Sequence, residues 1–352
     1  ERTPLNPRVI GKLKGDGFRV ENVIYESWPG HHVTANLYLP ATPPPYPGVL
    51  VPCGHSHNGK ASAAYQRACI LLAKNGMAAL CYDPIGQGER YQVLSEQPNE
   101  FFKGGSRYRP PHPQVQYYCT AEHTLMTVSA IPLGSNSARY RIWDGMRSID
   151  YLISRPEIDA SRIGCTGNSG GGTLTSYIMA LDDRVQVAAP VCYSTMYRYL
   201  IDFNGPQDGE QNIFGQLAYG MDIADYTLMR APKPTLICAG THDSTFKIDG
   251  TWELFREAKR FYTRMGYAER VDIIEADAPH GFTIKLREGA ARWMNRWLMH
   301  KENAIFEGDL PVFTDEELQC SESGQILLDA GERSLFEIND GLNQQLAQER
   351  AE

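Results

Sequence analysis

The 352-residue sequence contains no long apolar run and no cluster of basic residues. Its apolar stretches, such as ACILLA (68–73) and VAAPVC (187–192), are much shorter than the ~20 residues that span a bilayer. The net charge is -8, and no group of Lys or Arg residues forms a surface suited to phosphates. These absences argue against nucleic-acid binding and against membrane association.

Paired-cysteine motifs are missing as well. The eight cysteines form no CxxC pair, and Cys81, Cys165, Cys192 and Cys238 stand in apolar, strand-like segments. We therefore predict buried free thiols. The chain also has no internal repeat or low-complexity tract, and 42% of its residues are hydrophobic, which is ordinary for a globular protein with a buried core.

Short apolar runs alternate along the chain with segments of helical periodicity. Two stretches around WPGH (28–31) alternate polar and apolar residues, which predicts an antiparallel hairpin over 17–26 and 32–40. The remaining runs predict strands buried on both faces. Predicted strands cover 47–54, 77–83, 162–167, 184–193, 234–240 and 271–276, and predicted helices cover 61–75, 136–154, 170–181, 250–265 and 285–299. This order predicts an α/β fold with a mostly parallel central sheet, an antiparallel N-terminal edge hairpin and helices on both faces.

Three segments interrupt the alternation. Residues 90–135 and 193–230 are long for loops in a compact α/β domain, so we interpret them as functional insertions in a catalytic domain over 1–302. Residues 303–352 are acidic and strand-like in parts, with no core of their own. We interpret them as a C-terminal extension packed on the main domain, or as a linker.

One motif carries chemistry. Residues 167–171, GNSGG, match G-x-S-x-G between a predicted buried strand and a predicted helix. A serine on so sharp a turn needs small neighbours, and the turn aims the Gly170 N–H and the helix N-terminus at the reacting oxygen. A flexible linker would not lie between two strongly patterned elements, and a phosphate loop would need a Lys that Thr173-Leu174 does not supply. A bare glycine turn is the other alternative, and Ser169 is the predicted nucleophile.

A serine nucleophile requires a base and a group that orients the base. AGTHDSTF ends one predicted strand and contains Asp243, and DAPHGF follows the last strand and contains His280. Both therefore fall where open α/β sheets place their sites. We predict Ser169, Asp243 and His280 as catalytic residues, with Asp249 and Asp277 as rival acids.

The loop after the strand 47–54 reads GHSHNG (54–59). In this position we expect the second backbone donor to a developing oxyanion, with the His55 N–H joining that of Gly170. The rival interpretation is a zinc site, since His55 and His57 alternate and His31 and His32 are paired. That spacing is weak for a metal, and no Asp, Glu or Cys cluster accompanies it in the sequence, so we predict no metal.

The motifs PGVLVPCGHSHNGK, YDPIGQGER, AGTHDSTF and APHGF, together with the run RPEIDASRIGCTGNSGGG, resemble the α/β-hydrolase superfamily from about residue 15 to 300. The similarity is to its acetyl xylan esterase-like and dienelactone hydrolase-like branch. It implies hydrolysis of carbohydrate esters, with Ser169, Asp243 and His280 in the catalytic slots, an oxyanion N–H from His55, and no cofactor. Members often carry Gln after the serine, where this chain has Gly170.

The resemblance predicts a serine carboxylesterase that removes acetyl or similar groups from carbohydrate esters, small or polymeric. A prolyl-oligopeptidase-like peptidase and a non-catalytic binding protein of the same fold are the alternatives. The substrate class implies a secreted or periplasmic location, with a cytoplasmic one as the alternative. The aromatic residues of the insertion could stack on sugar rings, although we favour a small core of their own; they are Tyr91, Phe101, Phe102, Tyr108, Tyr117 and Tyr118.

Overall fold

A nine-stranded sheet organises the chain, with the order β1-β2-β3-β5-β4-β6-β7-β8-β9. The computed structural model describes residues 2–97, 110–205 and 207–351. The strands are β1 (Arg8–Gly15), β2 (Phe18–Trp28), β3 (His31–Pro40), β4 (Tyr46–Pro52), β5 (Ala78–Tyr82), β6 (Ile158–Asn168), β7 (Val185–Val191), β8 (Thr235–Gly240) and β9 (Val271–Ala276). The helices are α1 (Ala63–Lys74), α2 (Cys119–Ala130), α3 (Ser137–Ser154), α4 (Gly170–Leu181), α5 (Tyr197–Asn204), α6 (Ile223–Met229), α7 (Ile248–Arg264), α8 (Ile284–Met299) and α9 (Leu335–Ala351).

The sheet is parallel from β5 through β9 and antiparallel at its N-terminal end. Strands β4 and β5 are buried along their whole length, as their uninterrupted apolar sequences predict. The predicted hairpin is β2 and β3, and β3 joins β5 antiparallel. The predicted sheet is therefore confirmed, with one addition: β1 pairs with β2 and forms the outer edge.

Helices cover both faces of the sheet. Leu72 of α1 and Trp293 of α8 belong to the core on one face, and Leu152 of α3, Ile178 of α4 and Leu254 of α7 belong to the core on the other. All eight cysteines are free and buried, as predicted. Among the described residues, no helix combines the length and the apolar character needed to cross a bilayer.

The two insertions contain helices: α2 lies in the first, and α5 and α6 lie in the second. The C-terminal segment contains no strand between residues 303 and 351, so the expectation of strand-like parts is wrong. Its apolar residues instead dock irregular chain and the start of α9 onto the domain. Leu310 and Leu318 are buried in the core on one face of the sheet, and Leu335 of α9 is buried beside α2 and α3.

Candidate active site

The candidate residues follow strands that run in the same direction. Ser169 comes directly after β6, Asp243 lies three residues after β8, and His280 lies four residues after β9. The GHSHNG loop follows β4. Because β4, β6, β7, β8 and β9 are parallel, these segments meet at one edge of the sheet.

Ser169 lies on a strained turn between β6 and α4. Its φ is 59° and its ψ is -124°, a backbone conformation that residues other than glycine rarely adopt. Its amide donates to Val191 O at 2.9 Å. A Cβ on Gly167 or Gly171 would lie 2.4 or 2.2 Å from Pro52 O. The glycines thus allow three strands and a helix to meet closely enough to hold the serine in this conformation.

Asp243 orients His280. Asp243 Oδ2 accepts a hydrogen bond from His280 Nδ1 at 2.7 Å, and Oδ1 accepts from the amides of Thr245 and Phe246 at 2.8 and 2.9 Å. The Phe246 ring stacks on the imidazole, with 5.6 Å between centroids. The imidazole is thus fixed at Nδ1 and on one face, while Nε2 makes no hydrogen bond with any described residue.

The rival acids lie elsewhere. Asp277 accepts a hydrogen bond from His242 Nε2 at 2.7 Å, and Asp249 lies in the first turn of α7. Ser169 Oγ makes no hydrogen bond to a described residue either, so it and His280 Nε2 are both available to a substrate. The assignment of Ser169, Asp243 and His280 to catalysis stays a prediction, one that this geometry favours.

Cys192 follows β7 and lies beside the acid and the base. Its Sγ donates to Gly281 O at 3.6 Å, and ligand-type atoms of Cys192, Asp243 and His280 all lie within 4.8 Å of one another. Burial raises the pKa of this thiol to about 12, so it remains protonated at neutral pH. Sequence reasoning identified it only as a buried thiol.

Every carbonyl of the GHSHNG loop accepts a hydrogen bond. The Gly54 amide donates to the Tyr65 hydroxyl at 2.6 Å, and Gln87 Nε2 donates to Gly54 O at 2.6 Å. The Tyr118 hydroxyl donates to His55 O at 3.0 Å. Within the described ranges, the amides of His55 and Gly170 make no hydrogen bond, so both are free to receive an oxyanion.

The His55 ring lies over the start of α4. A Cβ on Gly170 would be 2.8 Å from His55 Cε1 and 3.0 Å from Nε2. The ring therefore occupies the space that a longer residue after the serine would need. This accounts for Gly170 at a position where the resemblance of the sequence leads us to expect Gln.

A buried polar cluster surrounds the other side of that ring. His55 Nε2 is 2.8 Å from Glu210 Oε1, and His55 Nδ1 is 3.4 Å from Asp208 Oδ2. His123 Nδ1 is 3.2 Å from the same Glu210 oxygen, and Arg141 Nη1 is 2.7 Å from His123 Nε2. The side chains of His123 and Arg141 are completely buried, and that of Glu210 nearly so.

Burial and the guanidinium of Arg141 lower the pKa of His123 to about 4, so its ring is neutral at neutral pH. Burial alone would raise the pKa of Glu210, but His123 and Arg141 hold it well below its usual range. Burial raises the pKa of Asp208. The cluster therefore contains an ionised carboxylate facing a neutral imidazole.

Comparisons with known proteins agree with this architecture. A model of the prolyl oligopeptidase family matches residues 135–300. YtaP of Bacillus subtilis (strain 168), provisionally described as a hydrolase, is 28% identical over 158 residues, which is 45% of this chain and about half (53%) of that relative. Methylesterase BT1017 superposes with a TM-score of 0.74 at 23% identity, over 99% of this chain and 70% of that one. Acetyl xylan esterase from Paenibacillus sp. R4 gives 0.56 at 20% identity, over 84% and 90%.

The chain has the α/β-hydrolase fold. The predicted fold is confirmed, and so is the predicted similarity to acetyl xylan esterase-like members.

Two of the histidines considered for zinc serve elsewhere in this hydrolase fold. Glu332 of the C-terminal segment is 3.2 Å from His31 Nδ1 and 2.6 Å from His32 Nδ1. His31 and His32 therefore bind the C-terminal segment and are not part of a shared site with His55. The companions of His55 are instead Glu210 and His123, which sequence reasoning missed because single polar residues in two separate insertions carry no periodic signal.

The first insertion of the hydrolase domain contains a small core. Tyr91, Val115 and Cys119 form a buried cluster, and Tyr118 packs against it. This favours the core interpretation for Tyr91 and Tyr118, whereas Tyr117 is 41% exposed. The remaining aromatic residues of the prediction lie outside the described residues; they are Phe101, Phe102 and Tyr108.

Proposed function

We propose that this chain is a serine carboxylesterase that hydrolyses acyl esters of carbohydrates, acetyl esters foremost, through an acyl-enzyme. The observation that carries the proposal is the 2.7 Å hydrogen bond between His280 and Asp243, at the same sheet edge as the strained turn of Ser169. A buried acid, an oriented imidazole and a partly exposed serine are the parts that acyl transfer requires.

In the proposed mechanism His280 Nε2 removes the proton of Ser169 Oγ as Oγ attacks the acyl carbon. The carbonyl oxygen becomes an oxyanion and accepts hydrogen bonds from the amides of His55 and Gly170. His280 then protonates the departing sugar oxygen, which leaves an acyl-serine. Water, deprotonated by His280, attacks that ester, and the proton returns to Ser169 Oγ as the carboxylic acid departs.

The substrate class is supported by the names of the structural neighbours, among them a methylesterase and acetyl xylan esterases. A peptidase is the second candidate, because the matching family model is that of prolyl oligopeptidases. An exported location follows only from the substrate class and stays a prediction.

A fluorophosphonate probe tests the nucleophile. We expect the wild-type chain to be labelled at Ser169 and Ser169→Ala to be unlabelled, with its circular dichroism unchanged. A panel of acetylated xylan, p-nitrophenyl acetate to octanoate, methyl glucuronate and a prolyl peptide amide then tests the substrate. Acetate release supports the proposal, preference for octanoate or for methyl glucuronate contradicts the acetyl assignment, and amide cleavage alone supports the peptidase.

A further inference from the structure

Three potential ligand atoms converge beside the GHSHNG loop. His55 Nε2 and His123 Nδ1 lie 2.8 and 3.2 Å from Glu210 Oε1, and all three atoms lie within 4.8 Å of one another. A tetrahedral zinc ion with bonds of roughly 2.1 Å separates its ligand atoms by about 3.4 Å. Two imidazoles and one carboxylate are, moreover, a common protein ligand set for such an ion.

The outer ring nitrogens also face oxygen atoms, which is the arrangement found around metal-bound histidines. His55 Nδ1 faces Asp208 Oδ2 at 3.4 Å, and His123 Nε2 faces Ile85 O at 3.1 Å. If each outer nitrogen carries the proton, the inner nitrogens present lone pairs to Glu210. Lone pairs from two rings and a carboxylate then converge on one point, where a cation would satisfy all three.

A second observation points to a missing partner. Glu210 Oε2 is buried and has no hydrogen-bond partner among the described residues. A buried carboxylate oxygen is costly to leave unpaired, so this atom indicates a ligand that has yet to be supplied. A metal ion bound through Oε1 could engage Oε2 as well.

Arg141 is the obvious objection, because its charge is close to the same point. Its Nη1 lies 2.7 Å from His123 Nε2 and 3.2 Å from Nδ1. A donor in the ring plane could be near only one of these nitrogens, so the guanidinium lies against the ring face and leaves the in-plane lone pair of His123 Nδ1 free. When both histidines are neutral and Asp208 and Glu210 are ionised, the one positive charge of Arg141 faces two negative charges. The cluster therefore keeps one negative charge in excess, which favours a cation.

We propose that His55, His123 and Glu210 bind a divalent transition-metal ion of the zinc class, with Asp208 orienting His55. The ion ties the second insertion, which carries Asp208 and Glu210, to the loop after β4 and to α2. The binding of the ion does not depend on the proposed function. Its consequence for catalysis does, since it would immobilise the loop that carries the His55 amide.

The group of Cys192, Asp243 and His280 meets the same distance criterion but lacks the other evidence. Its imidazole and carboxylate are satisfied by their own 2.7 Å hydrogen bond, and the described structure leaves no buried oxygen of Asp243 unpaired. It therefore provides a matched control.

The test is metal content. The full chain is treated with a chelator, desalted, incubated with ZnCl2, desalted again and analysed by mass spectrometry of the metal. We expect close to one zinc ion per chain, and a thermal midpoint that rises by several degrees in excess zinc. His123→Gln and Glu210→Gln should lose both effects, whereas Cys192→Ser should keep them.

Asp208→Asn tests the proposal even if the variants at buried positions fail to fold, because the Asp208 side chain is 28% exposed. This variant should fold and bind zinc roughly 10- to 100-fold more weakly. Wild-type protein that retains no zinc would overturn the proposal, as would zinc lost in Cys192→Ser but kept in His123→Gln. Fluorophosphonate labelling of the same samples separates the two proposals, because zinc binding without labelling refutes only the esterase, and labelling without zinc refutes only the metal site.

Discussion

The contact between Gly170 and His55 predicts a large effect from a single methyl group. In Gly170→Ala the new Cβ would lie 2.8 to 3.1 Å from three atoms of the His55 ring, where ordinary contact begins at 3.4 Å. The ring must therefore retreat by about 0.6 Å to reach ordinary packing distance. Its hydrogen bond to Glu210 and its neighbour Asp208 oppose that movement.

The size of the effect follows from these contacts. Overpacking of this kind lowers the free energy of unfolding by about 1–3 kcal/mol. Alanine at a helical position raises it by about 0.5–1 kcal/mol relative to glycine. We expect a net loss of about 1–2 kcal/mol in the free energy of unfolding. Because His55 also carries a predicted oxyanion amide, we expect kcat/KM for p-nitrophenyl acetate to fall about 10- to 100-fold.

Urea denaturation and steady-state hydrolysis measure the two quantities, and a double-mutant cycle identifies their cause. In the His55→Ala background there is no ring for the new methyl group to meet, so Gly170→Ala should no longer destabilise the protein and should instead add about 0.5–1 kcal/mol to the free energy of unfolding. An equal cost in both backgrounds would refute the reasoning, as would a Gly170→Ala enzyme with wild-type stability and activity.

Three further outcomes are expected. Asp243→Asn should lower kcat about 10³- to 10⁴-fold while Asp277→Asn leaves it unchanged, because only Asp243 bonds His280. Glu89→Ala should lower the free energy of unfolding by about 1–3 kcal/mol, since buried Lys60 keeps Asp83 as a partner but the buried amides of Cys320 and Ser321 lose their acceptor. Burial raises the pKa of Glu332, but hydrogen bonds with neighbouring histidines lower it overall. Its stabilisation is therefore full above the unfolded pKa of about 4.3 and is lost as the pH falls through the lower folded value, so the stability difference between wild type and Glu332→Gln should shrink on acidification.

Each of these has a control or a contrary result. A loss of activity in Asp277→Asn equal to that in Asp243→Asn would reopen the choice of acid. Glu349→Ala, in an exposed part of α9, is the control for Glu89→Ala and should change the free energy of unfolding by less than about 0.5 kcal/mol. A Glu332→Gln difference that stays constant from about pH 7 to pH 3 would show that this carboxylate does not titrate with folding.

Local patterns predicted most of the fold. The helix at 170–181 and the strand at 271–276 coincide with their predicted bounds because each is a strongly patterned run bounded by Gly or polar residues. The nucleophile turn was predictable for the same reason, since its glycines and its flanking elements are contiguous in sequence. Asp243 and His280 were found through chain order and strand ends alone.

The features that escaped prediction depend on contacts between distant residues. Glu210 and His123 are single polar residues whose partners lie in other segments, so no pattern of spacing in the sequence predicts their contact. The expectation of strand-like parts in the C-terminal segment was wrong for a related reason. Its scattered apolar residues, Leu310, Leu318 and Ile326 among them, resemble parts of strands but serve as separate anchors on a surface built by the rest of the chain.

The anchoring of this segment bears on when the protein can finish folding during synthesis. Glu89 and Lys60 are buried beneath residues 320 and 321, whose amides donate to the Glu89 carboxylate at 2.6 to 3.0 Å. Asn22 likewise donates to Glu317 O, across 295 residues. The ribosome delivers these partners after every strand of the sheet has emerged. Any part of the sheet that assembles before then has this ionic cluster open to water, and the cluster closes only once residues 317–321 have been released.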